Sequence, residues 1–293
     1  MWQKIVSFFT SIIAFIMSLF GMSQAVVTEY KNVSYGGASI QKMDVYYPDA
    51  PEKLNKDVGA ILLIHGGAWS AGSKENYTSV AKQIAEKGYV AVTMNYRMLQ
   101  HGATYVEMIE DIDLAIAKLK EKTEADGVSV KKLAVAGASA GGHLSLLYSY
   151  THLNGTDSAP AIPIAFTVGA VAPTDFTDPA YEQTAYTLDM ISGLIGVQLT
   201  IDNLEENRAL IEQASPLYHA TAAAPPTILC YGGQDTLVPL SNGLSMKAAL
   251  EEMNVPYKWY LFPNSGHDLS DSRDSGVRTQ VLVGVLEYAV RYF

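Results

Sequence analysis

Cysteine is almost absent: Cys230 is the single one in 293 residues. An internal disulfide is therefore impossible and Cys-based metal sites are excluded, while the thiol count does not disclose the compartment. Cys230 lies in the apolar run Pro226-Thr-Ile-Leu-Cys-Tyr-Gly232 and reads as a small buried hydrophobe. Basic charge is also scarce. With 20 Lys plus Arg against 30 Asp plus Glu, the net charge is −10, which repels nucleic acid and anionic membrane surfaces, and no basic patch interleaved with aromatics offsets it. No G-x-G-x-x-G or G-x-x-x-x-G-K-[ST] opens a helix, so no nucleotide cofactor is indicated. No H-E-x-x-H or close His and carboxylate grouping suggests a metal. Repeats and low-complexity tracts are missing, and a hydrophobic content of 48% excludes disorder, collagen and coiled coil as descriptions of the whole.

Charge is missing altogether between Lys4 and Glu29, where Ile, Phe, Leu and Met dominate from Ile5 to Met22. As a helix this stretch is long enough to cross a hydrocarbon core of about 30 Å. Residues 1–25 therefore read as a signal peptide or an N-terminal membrane anchor. Lys4 ahead of the apolar stretch and Ser23-Gln24-Ala25 behind it fit a cleaved secretory signal. The length of the stretch fits a retained anchor. Both put the following domain outside, secreted or in the cell envelope, because positive charge stays in the cytoplasm. A lipoprotein anchor is excluded, since no cysteine ends the segment. A helix capping the soluble domain is the third reading, and contact with membrane is expected only through this segment.

From Val26 onward, short β-branched or aromatic runs alternate with longer helical stretches, which argues for βαβ units and a mostly parallel sheet. Strands are expected at 26–33, 40–47, 57–64, 89–95, 132–136, 162–171, 227–231 and 257–262. The four consecutive apolar residues Ile61 to Ile64 call for cover on both faces. Helices are expected at 74–87, closed by Gly88, then at 105–122, 140–151, 241–252 and about 275–292. Met108, Ile112, Ala115, Ile116 and Leu119 share one face of the second. Residues 173–215 break this rhythm with a polar stretch carrying Asp175, Asp178, Asp189 and Asp202 and no convincing strand. So long an excursion inside an α/β domain reads as a functional lid. No linker divides residues 26–293 into two domains.

Chemistry concentrates in a few places. Gly137-Ala-Ser-Ala-Gly141 stands between a strand and an apolar helix. A serine on a sharp strand-to-helix turn has strained backbone, and side chains two positions either way would crowd it. The same five residues could also be a small-residue turn. If Ser139 is a nucleophile, it needs a base. Of six histidines, His267 in Pro263-Asn-Ser-Gly-His-Asp268 follows the last strand at the same sheet edge. His65 reads as a brace for its loop, His143 as one turn into the serine's helix, and His152, His219 and His101 as loop residues. The base in turn needs an acceptor. Asp235 follows a strand, although an aspartate there is also a common turn residue, and Asp268 is a rival whose side chain should diverge from its neighbour's. His65-Gly-Gly-Ala-Trp69 supplies backbone N–H groups that, with that of Ala140, could bind an oxyanion. A glycine pair there can equally be a turn or an anion nest.

The order Ser139, Asp235, His267 and the motifs His65 to Trp69, Asn95-Tyr-Arg97 and Gly137 to His143 resemble the α/β-hydrolase family. The resemblance is closest to its hormone-sensitive-lipase-like and bacterial feruloyl or acetyl-xylan esterase groups, which carry H-G-G-[GA]-W. It covers roughly Val26 to Phe293. It implies an eight-stranded, mostly parallel sheet with helices on both faces and a small helical lid. It also implies Ser139 as nucleophile, Asp235 and His267 as its triad partners, and Gly67, Ala68 and Ala140 as oxyanion donors. Ala68 stands where many relatives have a third glycine. The backbone N–H survives that change, and the methyl is expected to stiffen the loop and narrow the acyl pocket. The expected activity is hydrolysis of neutral, short-acyl or acylated-sugar esters, with the small-molecule ester as partner and no cofactor. A peptidase or amidase with the same triad and a noncatalytic binding protein are the alternatives, and no oligomeric state is implied.

Overall fold

The computed structural model describes residues 26–54, 57–181 and 185–293. The apolar segment 1–25 lies outside them. Among the described residues eight strands form one sheet: β1 (Thr28–Ser34), β2 (Lys42–Tyr47), β3 (Val58–Ile64), β4 (Val90–Met94), β5 (Val130–Ala138), β6 (Ile164–Ala170), β7 (Thr227–Gly232) and β8 (Tyr257–Phe262). Their spatial order is β1-β2-β4-β3-β5-β6-β7-β8. β1 and β2 run antiparallel to their neighbours and the rest are parallel. Described helices are α1 (Thr78–Glu86), α2 (Tyr105–Ala125), α3 (Ala140–Thr151), α4 (Ala185–Ile195), α5 (Arg208–Gln213), α6 (Leu240–Glu252) and α7 (Ser275–Tyr292).

The strand period of two divides the core. Ala60, Leu62 and Ile64 of β3 point into an apolar cluster shared with α2 and α3, while Ile61 and Leu63 face a second cluster with α1 and α7. A third cluster joins α3 and α6 through Leu146, Tyr150, Met246 and Leu250. The expected face of α2 is buried from Met108 to Leu119. Its start is fixed by a capping box in which Thr104 Oγ1 accepts from the Val106 N–H and Glu107 Oε2 accepts from the Thr104 N–H at 2.7 Å. Gly88 adopts φ +96° and ends the segment after α1.

Two of the boundaries that differ from expectation do so for clear physical reasons. The first turn of the expected 74–87 helix is a 3₁₀ turn, Lys74–Tyr77, because Asn76 Oδ1 accepts from Ser73 and Asn95 Oδ1 accepts from the Lys74 N–H. β5 continues past Ala136 through Gly137 and Ala138, since Ile64 of β3 and Ala170 of β6 still pair with it there. The strand thus delivers the chain to Ser139 without an intervening loop. Residues 173–215 carry α4, α5, one described 3₁₀ turn (Ile201–Asn203) and no described strand. Among the described residues no helix is long and apolar enough to cross a membrane.

The Asn95-Tyr-Arg97 motif has a structural use. Asp111, fully buried on α2, accepts from the Arg97 N–H at 2.7 Å, from Arg97 Nε at 2.9 Å and from Gln41 Nε2 at 2.6 Å. One carboxylate thereby ties α2 to the ends of β2 and β4. Asp111→Ala leaves these donors without an acceptor and should cost about 3 kcal/mol, measured as a lowered urea midpoint at unchanged slope.

Candidate active site

All parallel strands end at one edge, and the candidate residues follow those ends. Ser139 comes directly after β5, with φ +56° and ψ −127°. Its N–H donates to Ala170 O at 2.8 Å and its carbonyl accepts from the His143 N–H at 2.9 Å, so both flanks of this left-handed residue are pinned. Close backbone approach explains the glycines. A Cβ on Gly141 would lie 2.0 Å from Ile64 O, and one on Gly137 would lie 2.4 Å from the Gly141 carbonyl. Any larger residue would force β3 and α3 apart.

The loop after β8 brings His267 to the serine. His267 Nε2 stands 2.9 Å from Ser139 Oγ, and Nδ1 stands 2.7 Å from Asp235 Oδ2. With Nδ1 carrying the proton toward the carboxylate, Nε2 is left as the acceptor for the serine hydroxyl; this tautomer is assigned from the partners. The Asp235 side chain has no exposed surface, and its Oδ1 accepts from the N–H groups of Leu237 at 2.8 Å and Val238 at 3.0 Å. Asp268 turns away instead and accepts from Ser270, as adjacent side chains in a loop do.

The His65 to Trp69 loop follows β3. Gly67 has φ +120°, Ala68 +50° and Trp69 +55°, three consecutive residues in the left-handed region, two of them strained. Ser70 and Ala71 both donate to Gly67 O, closing a tight turn. The N–H groups of Gly67 and Ala68 have no acceptor among the described residues, and Ala140, as first residue of α3, has an unsatisfied helix-end N–H. His65 braces the loop as expected. Its ring stacks on Tyr96 at 4.4 Å, Nδ1 donates to Gly66 O at 2.8 Å, and the Tyr96 hydroxyl donates to His65 O.

The other histidines separate from the site, with one exception. His152 stacks on Tyr148, His219 contacts Gln213 O, and His101 Nδ1 accepts from the Met98 N–H. His143 is fully buried. Its Nδ1 accepts from Trp69 Nε1 at 3.1 Å and its Nε2 donates to Ala214 O at 2.7 Å. Its position in the sequence identifies it only as a residue one turn into the helix. The signal available was its spacing from Ser139, which points it along the serine's own helix toward the Trp69 loop. Cys230 is buried, and burial pushes its thiol pKa up.

Residues 173–215 fold against this arrangement. Phe176 packs on Trp69 and His143 with ring centres 5.8 and 5.2 Å apart. Tyr181 is buried beside it. Burial first, then neighbouring Tyr231, Asp178, Asp235 and Asp175, holds the Tyr181 hydroxyl well above the ordinary phenol range. Asn242 of α6 anchors the start of the insertion, its Oδ1 accepting from the N–H groups of Thr174 and Asp175 and its Nδ2 donating to Asp178. The far end returns through Ser215, whose Oγ accepts from the Phe176 N–H at 3.0 Å. Groups of metal-ligating side chains are absent among the described residues.

A family model described as BD-FAE matches residues 43–250. The chain is 30% identical over 258 residues to Esterase LipC of Mycobacterium tuberculosis, covering 84% of this chain and 62% of LipC. It is 26% identical over 224 residues to acylamino-acid-releasing enzyme 2 of Oryza sativa, covering 72% of this chain and 27% of that enzyme. The chain thus spans less than two thirds of these curated relatives. Among solved structures, a truncated carbohydrate esterase from gut microbiota superposes with a TM-score of 0.72 at 18% identity, covering 92% of this chain and 99% of that one. The fold is that of the α/β-hydrolases.

Burial lowers the pKa values of His65 and His143 to about 4. Both are therefore neutral in the fold where unfolded imidazoles, near 6.5, would charge. The unfolded state binds more protons between these values, so this contribution to stability is present above pH 6.5 and is lost as pH falls toward 4, on the order of 3 kcal/mol for each. Histidine ring-proton NMR should show at least two of the six imidazoles not titrating between pH 8 and 5. Six titrations near 6.5 would contradict the burial argument.

Proposed function

The chain belongs to the BD-FAE family, and from that membership and the contacts of Ser139 we propose that it is a serine carboxylic-ester hydrolase. The observation that carries the reading is the pair of hydrogen-bond distances, 2.9 Å from His267 to Ser139 and 2.7 Å from His267 to Asp235, on a half-buried serine held in a strained turn at the sheet edge. His267 Nε2 takes the hydroxyl proton as Ser139 Oγ attacks the ester carbonyl. The oxyanion accepts hydrogen bonds from the N–H groups of Gly67, Ala68 and Ala140. The tetrahedral intermediate collapses, the C–O bond to the alcohol breaks, and His267 returns the proton to the leaving oxygen. Water then attacks the acyl-enzyme with His267 as base, and release of the acid regenerates Ser139. Asp235 fixes the tautomer and orientation of the imidazole and stabilises it while protonated.

The substrate class is a neutral ester with a short acyl group, an acylated carbohydrate among them. The net charge of −10 disfavours a negatively charged substrate, and the likeness to a carbohydrate esterase supports a sugar as the alcohol. The insertion 173–215 serves as a lid that shapes the acyl pocket. One observation favours a second reading, peptidase or amidase activity: the likeness to an acylamino-acid-releasing enzyme. The apolar residues 5–22 support export or membrane tethering, with the catalytic domain outside.

Ser139→Ala should abolish turnover of p-nitrophenyl acetate, with kcat falling by more than 10⁴-fold, and Asp235→Asn should lower it on the order of 10⁴-fold at unchanged fold. A p-nitrophenyl ester series beside acetylated xylan, methyl ferulate and an N-acetyl-peptide should show short esters preferred. Turnover of the acyl-peptide above that of every ester would favour the second reading, and full activity of Ser139→Ala would contradict both.

A further inference from the structure

The strained loop that presents the Ala68 N–H has to be held in place, and the side chain that holds it is Trp69. Trp69 is 1% exposed, so its ring is locked in the core while its own backbone and that of Ala68 sit at positive φ. Among the described residues its indole N–H has one partner, the imidazole of His143 at 3.1 Å. His143 is carried by α3, four residues after Ser139, and its backbone N–H is already bonded to the Ser139 carbonyl. The imidazole therefore stands in a fixed relation to the serine. Its second nitrogen is bound to the Ala214 carbonyl at the far end of the insertion, and Phe176 from the near end closes against both rings.

We infer that His143 is a positioning residue for ester hydrolysis, one that registers the oxyanion loop against the serine and makes that register depend on the insertion being seated. The inference rests on the proposed reading of Ser139 and Ala68. Its chemistry requires one neutral tautomer, with Nδ1 accepting from Trp69 and Nε2 donating to Ala214. Protonation would place an N–H against the indole N–H, and exchange of the tautomer would set the second nitrogen's lone pair against a carbonyl. Deleting the Trp69 contact frees the indole, so the Ala68 N–H no longer has a fixed aim at the developing oxyanion. A group that acts on the transition state and not on ground-state binding changes kcat with KM preserved.

The test uses Trp69→Phe, which keeps the ring and removes the donor, His143→Leu, which keeps bulk and removes both nitrogens, their double variant, and His143→Asn. In the last, Oδ1 occupies the position of Nδ1 and restores an acceptor for Trp69. With p-nitrophenyl acetate, Trp69→Phe and His143→Leu should each lower kcat by about 10- to 100-fold, with KM within about twofold. The double variant should be no slower than the slower single one, because both remove one interaction. His143→Asn should return to within about threefold of wild type. Each variant is titrated with a fluorophosphonate, and one equivalent bound at Ser139 certifies an intact fold and nucleophile. If His143→Leu fails to fold, Trp69→Phe and His143→Asn still decide. Unchanged kcat in Trp69→Phe, multiplying losses in the double variant, or a loss carried by KM overturns the inference while leaving the esterase reading standing. Absence of labelling and turnover in wild type overturns that reading and the inference together.

Discussion

Everything at the sheet edge depends on one tight backbone approach, that of the Gly137 to Gly141 turn against the end of β3. The carbonyl of Ile64 lies where a side chain on Gly141 would have to be, so the strand that ends in the Trp69 loop and the helix that begins after Ser139 are in direct contact. That contact fixes the distance between the serine and the loop's amides before any substrate arrives. It is also why Ser139 tolerates φ +56°: its hydrogen bond to Ala170 and the one it accepts from His143 hold it on both sides, so the strain is distributed into the sheet and the helix.

Much of this was legible in the sequence because the relevant signals are local. β8 at Tyr257–Phe262, α3 at Ala140–Thr151 and α7 at Ser275–Tyr292 follow from periodicity and from the punctuation around them. Ser139, Asp235 and His267 could each be singled out because each follows a strand, and in a parallel sheet such residues gather at one edge. Choosing Asp235 over Asp268 needed only the rule that adjacent side chains diverge. What lay beyond reach were contacts between distant segments. Nothing in the spacing of Gln41, Arg97 and Asp111 says that one carboxylate serves three donors, and nothing near Ala214 says that its carbonyl faces His143. Asn76 and Asn95, which turn the start of the expected helix at 74 into a 3₁₀ turn, act through side-chain bonds that periodicity does not register.

The insertion is tied to the rest of the fold at both ends. Its start is bonded to Asn242 on α6, its end reaches His143 on α3, and its aromatic residues Phe176 and Tyr181 cover the ground between them. Outer residues of such a segment are free to vary while the inner ones that fix its seat are not. Asp178, Phe176 and Ala214 are among the residues that fix this seat.

The central claim is that an ester carbonyl attacked by Ser139 would direct its developing negative charge at the amides of Gly67, Ala68 and Ala140. A crystal structure of the adduct formed with a phosphonate ester tests this most directly, because the tetrahedral phosphorus mimics the attacked carbon. The account predicts phosphorus bonded to Ser139 Oγ with its unesterified oxygen about 3 Å from the amide nitrogens of Ala68 and Ala140. Phosphorus on another side chain, or that oxygen turned to solvent with the loop elsewhere, would contradict it.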